Sequence, residues 1–121
     1  MVERIEDMPA GTVGFRSDGP LSDDDYNDIL GPALRDAVEG GGVRLMLVTP
    51  PEFGSSDVTE VAKRVQGLPG LGHREDWKRV AVVTDSGWLR RTARLWSGMV
   101  PVDTKVFAPD EEPAARDWLQ G

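Results

Sequence analysis

Apolar positions change their spacing several times along the chain, and each change marks an element. Val2 to Asp7 and Thr12 to Ser17 are short segments of mixed alternation, separated by Met8-Pro9-Ala10-Gly11, which supplies the Pro and Gly of a turn. They predict an antiparallel hairpin at the N-terminus. Asp18-Gly19-Pro20-Leu21 interrupts the pattern, and Ser22 is the expected N-cap of a helix whose positive dipole end favours Asp23, Asp24 and Asp25. From Tyr26, the residues Ile29, Leu30, Leu34, Ala37 and Val38 recur at three- and four-residue intervals and share one helical face. Pro32 removes a backbone donor and is expected to kink this helix. Gly40-Gly41-Gly42 ends it, because glycine accepts the left-handed conformation of a C-cap.

Val43 to Thr49 and Val80 to Thr84 are nearly continuous apolar runs, the pattern of strands buried on both faces of a parallel sheet. Between them, Ser55, Ser56 and Asp57 each suit the cap of a second helix, in which Val58, Val61, Ala62 and Val65 repeat at helical spacing. Gly67 to Gly72 is a loop. Asp85-Ser86-Gly87 leads into a third helix over Trp88 to Trp96, Thr104 to Phe107 is a short last strand, and Pro113 opens a final helix through Trp118 and Leu119. The order β-β-α-β-α-β-α-β-α predicts an α/β fold: a mostly parallel mixed sheet of about five strands, an N-terminal hairpin and about four helices on right-handed crossovers. The expected core includes Leu45, Leu47, Val80, Val82, Ile29, Leu34, Val61 and Leu95.

Composition narrows the function more than the fold. The 121 residues suit one domain, spanning 1–121. The absence of cysteine excludes a disulfide framework, a thiolate zinc site, a cysteine-ligated iron–sulfur cluster and a cysteine nucleophile. A net charge of −7 argues against a duplex nucleic-acid binder, which needs a basic face to displace counterions from phosphates. No apolar stretch approaches the roughly 20 residues of a membrane span. Glu3, Glu6 and Asp7 stand where a signal peptide carries positive charge, so the cytoplasm is the expected compartment.

Candidate chemistry is sparse. The glycine runs lack the Gly-Lys-Ser/Thr of a phosphate loop, and His73, the single histidine, has too few convergent partners for a metal or a hydrolase triad. Asp23-Asp24-Asp25 is accounted for by the helix dipole, since consecutive carboxylates point different ways. No metal, cofactor or catalytic residue is expected. The segment Trp88 to Val100 is more informative: on a helix Trp88, Thr92, Leu95, Trp96 and Met99 cluster, while Arg90, Arg91 and Arg94 share another sector. Such a face suits an apolar ligand with an anionic group, a partner, or peripheral contact with an anionic membrane. As a plain alternative, it is a core helix with a solvated basic side. Ser55 and Ser56 stand where a helix N-terminus would stabilise a phosphate, although a simple N-cap fits the same position.

The arrangement of these pieces resembles the SpoIIAA-like branch of the STAS superfamily (sulfate transporter and anti-sigma factor antagonist), whose wider relatives have been compared with CRAL-TRIO lipid-exchange domains. The resemblance is carried by Glu75 to Asp85, Trp88-Leu89, Ala93-Arg94-Leu95, Lys105-Val106-Phe107, then Ala114, Arg116, Trp118 and Leu119, and by Tyr26 to Leu34 in the first helix. It implies a STAS-like domain. In anti-sigma factor antagonists the regulatory serine is the second one of Asp-Ser-Ser-Gly at the start of the second helix. The similar stretch here is Gly54-Ser55-Ser56-Asp57, which aligns Ser56 with that serine but replaces the flanking aspartate and glycine.

The resulting expectation is a non-enzymatic binding module for a small apolar or amphiphilic, lipid-like ligand, held by Trp88, Arg91, Arg94, Leu95, Trp96 and Met99. The rival is a protein-interaction and regulatory domain of the anti-sigma factor antagonist type, switched by phosphorylation at Ser56. A homodimer through a sheet edge or the Trp-rich helix is compatible with both.

Overall fold

The computed structural model of the chain describes residues 2–53, 55–92 and 102–121. The strand β1 (Val2–Ile5) pairs antiparallel with β2 (Val13–Ser17), in the predicted hairpin. The turn between them is closed by Thr12, whose N–H and hydroxyl both donate to the Pro9 carbonyl. β1 stops at Ile5, before the polar Glu6-Asp7.

The strands β3 (Val43–Thr49), β4 (Trp77–Thr84) and β5 (Thr104–Phe107) complete one five-stranded mixed sheet in the order β1-β2-β3-β4-β5. β2 through β5 are mutually parallel. Because each strand lies beside its predecessor, right-handed crossovers put the connecting helices on one face. Those helices are α1 (Gly31–Glu39), α2 (Ser55–Gln66) and α3 (Gly87–Arg91), while α4 (Glu112–Gln120) follows the edge strand and covers the other face. Two cores result. Phe15, Leu34, Leu45, Leu47 and Val61 are buried under α1 and α2, and Met46, Ala81, Val83 and Phe107 pack with Ala115 and Leu119 of α4. Of the expected core, Leu34, Leu45, Leu47, Val61 and Val82 are buried, Ile29 and Val80 are half-buried against it, and Leu95 lies outside the described residues.

The first helix begins as the sequence suggests. The Ser22 hydroxyl accepts from the Asp25 N–H at 3.2 Å, and the Asp25 carboxylate accepts from the Ser22 N–H at 2.9 Å, a reciprocal cap. The kink expected at Pro32 takes the form of a π-helical stretch over Asp25–Leu30, in which the Gly31 N–H reaches back to the Tyr26 carbonyl. Widening the turn just before the proline accommodates a residue that cannot donate. Gly41 and Gly42, with φ of 118° and 135°, then turn the chain into β3. β4 starts at Trp77, earlier than the predicted Val80, because a charged strand residue finds a partner. The Arg79 guanidinium lies 5.0 Å from the Trp118 ring centroid and donates to the Trp118 carbonyl. With Arg44, which donates to the Leu119 carbonyl, it covers the negative end of α4.

Candidate functional site: an apolar groove under α2

α2 is amphipathic, and Val58, Val61 and Val65 turn inward onto the sheet. Its contact is incomplete at the half-buried Ala62, whose single methyl cannot fill the span to β4. A cavity of about 50 Å³ opens there, lined by Leu45 and Leu47 of β3, Val80 and Val82 of β4, Val58, Val61, Ala62 and Val65 of α2, and Trp77, Val102, Gln66 and Thr104 toward its margins. Among the described residues, Gln66 and Thr104 are the only polar members of that lining. An apolar space of this size offers a water too few hydrogen bonds, so it favours a few carbon atoms as its occupant.

The walls are fixed from outside. The Trp77 indole donates to the Leu71 carbonyl at 3.1 Å, which orients the ring at the lower end of the groove. On the outer side of α2, the Arg64 guanidinium sits 4.3 Å from the Tyr26 ring centroid and pairs with Asp23. This clamp ties α2 to the first helix, and the hydrogen bond that Arg64 donates to the Asp23 carboxylate raises the Arg64 pKa further. Burial pushes the Tyr26 phenol up, with the Arg64 charge opposing. Both groups therefore keep the same protonation state throughout the neutral range.

Trp88 and Arg91 belong to α3, where Arg91 is exposed, while Arg94, Leu95, Trp96 and Met99 lie outside the described residues. Ser56 falls in the first turn of α2, as expected. Within the aspartate run, Asp25 bonds Ser22 and Asp23 pairs with Arg64. His73 is exposed. Sequence reasoning took Leu45, Leu47, Val61, Val80 and Val82 as core and missed that they also line a groove. One signal was available, the small Ala62 within a row of valines on the inward face.

A family model described as SpoIIAA-like matches residues 12–120, nearly the whole chain. No match was found among curated proteins or among solved structures.

Proposed function

The chain belongs to the SpoIIAA-like family, and we propose that it acts as a non-enzymatic binding module that takes a small apolar or amphiphilic ligand in the groove between α2 and the sheet. The supporting observation is the groove itself: a space with nearly all-apolar walls, beside a helix otherwise packed on the sheet. This groove on the inner face of α2 is a second candidate ligand site beside the Trp88 to Met99 segment read from the sequence. Native mass spectrometry of gently purified protein, against a denatured control, tests this reading. A reproducible added mass that vanishes on denaturation, and is absent from Ala62→Phe protein, is the expected result. Wild-type protein that carries no added mass and takes up no apolar probe saturably would overturn it.

A second reading, a regulatory protein-interaction domain of the anti-sigma factor antagonist type, draws support from the family and from the position of Ser56 in the first turn of α2. There a phosphate would face the positive end of a helix of 12 residues. Ser56→Asp and Ser56→Ala proteins should then capture different partners in a pull-down. Identical partner sets would remove the basis for this reading.

A further inference from the structure

A crease lies between α2 and the π-helical stretch Asp25–Leu30. It encloses about 50 Å³, room for one water-sized group and little more. Its wall is mostly polar: Tyr26, Asp57, Glu60 and Arg64 contribute, while Leu21 and Phe53 supply carbon. The crease shares Val61 with the apolar groove and otherwise stands apart from it. The two spaces therefore suit different chemistry.

Tyr26 is only 3% exposed, yet it lines this crease. Arg64 covers its ring face, 4.3 Å from the centroid, and among the described residues no group hydrogen-bonds the phenol oxygen. The charges acting on that oxygen include Arg64 and Glu60, both of the crease wall, which puts the hydroxyl on the crease side. A buried hydroxyl left unpaired is costly, and a phenylalanine would fill the ring space without that cost. The charge balance is also uneven. Arg64 is paired with Asp23, and no described ion pair includes Glu60. With Asp57 in the first turn of α2, the crease carries a surplus of negative charge.

We propose that this crease binds the ammonium head of a primary alkylamine, which donates to the Tyr26 oxygen and the Glu60 carboxylate while its first methylenes lie against Leu21 and Phe53. The head is compact and carries three donors, and the crease offers acceptors in a space of its size. An anion would instead meet Asp57 and Glu60. A calcium ion takes about six to eight oxygen ligands, and no three metal-ligating side chains converge among the described residues. A quaternary ammonium has no hydrogen to donate and exceeds the space. Lysine side chains and free polyamines carry the same primary head, so either source meets the requirement.

The test titrates wild type, Tyr26→Phe and Glu60→Gln at neutral pH and constant ionic strength. The probes are butylammonium, diaminopentane and Nα-acetyl-lysine amide, with tetramethylammonium and butanol as controls. Binding is followed by the amide NMR signals of the crease residues and, in wild type, by the isotope-labelled ring of Tyr26, the chain's single tyrosine. The primary amines are expected to shift these signals saturably, and the controls to leave them in place. Each substitution should weaken amine binding about tenfold, the loss of one charge-assisted hydrogen bond. Tighter binding of diaminopentane supports the site with a free polyamine as its source, and tighter binding of the lysine derivative supports it with a protein lysine. Unliganded Tyr26→Phe should melt at or above the wild-type temperature, and a lower melting point would mean that the hydroxyl already has an internal partner, which overturns the site. Equal shifts with tetramethylammonium would be charge screening alone, and no saturable shift with any amine would leave water as the occupant. Either result overturns the site, as does undiminished amine binding in either variant.

Discussion

Asp25 illustrates how one side chain can serve two ends of a structure. Its carboxylate accepts from the Ser22 N–H at 2.9 Å, and this bond, helped less by the backbone of Val2 at the start of β1, holds its pKa below the usual carboxylate value despite the opposing effect of burial. The bond from Ser22 is the larger influence. A carboxyl whose folded pKa is depressed contributes stability above its unfolded value of about 3.9, and that contribution is lost as pH falls through the lower folded value. Asp25→Asn should therefore be less stable than wild type at neutral pH and show a flatter loss of stability below about pH 4, read by circular dichroism of acid unfolding. Superimposable acid limbs would show that Asp25 does not couple the helix cap to β1. Trp77 is a second such residue, since its indole N–H donates to the buried Leu71 carbonyl. Trp77→Phe leaves that carbonyl unpaired and enlarges the groove, so a loss of about 1 to 3 kcal/mol in denaturant unfolding is expected.

At the scale of elements, the stop between α1 and β3 separates what a glycine is needed for from what it merely occupies. Gly42 has a φ of 135°, and a Cβ there would meet the Lys78 side chain at 2.6 Å and the Asp76 carbonyl oxygen at 3.2 Å. Gly40 has a φ of −82° and nothing nearer than 3.5 Å. Gly42→Ala is therefore expected to cost about 1 to 3 kcal/mol in thermal unfolding, while Gly40→Ala stays neutral or gains up to about 1 kcal/mol. The triplet was legible as a helix stop because glycine has few other uses at that place. Which of its members carries the constraint was not legible, since that depends on Lys78 of β4 and on Asp76 in the turn before it, both distant in sequence. The same limit explains the start of β4. Lys78 and Arg79 fall outside the strand predicted from Val80, and the charged strand position makes sense only once Trp118 of α4 is known to lie beside Arg79. The Ser22 cap and the hairpin turn are purely local and were readable in full. The groove was not, because the sequence marks Val61, Val80 and Val82 as apolar without saying whether the helix above them closes.

Among the described residues, the sheet is covered unequally on its two faces. On one, α4 buries Ala115 fully against Met46, Ala81, Val83 and Phe107, with Arg44 and Arg79 fastening its last carbonyls. On the other, α2 leaves a gap at Ala62. The same substitution placed at each alanine measures this difference directly. Ala115→Leu forces extra methylenes into a filled core and should cost about 1 to 3 kcal/mol. Ala62→Leu places them in empty apolar space, where burial gains of about 0.8 kcal/mol per methylene offset any local adjustment, so its unfolding free energy should match or exceed wild type. Ligand binding should move the opposite way, weakened by Ala62→Leu and untouched in whatever fraction of Ala115→Leu remains folded. Equal destabilisation by the two leucines would mean that the space above Ala62, one helix turn from Val58 and Val65, cannot take added methylenes and so cannot take a ligand's carbons.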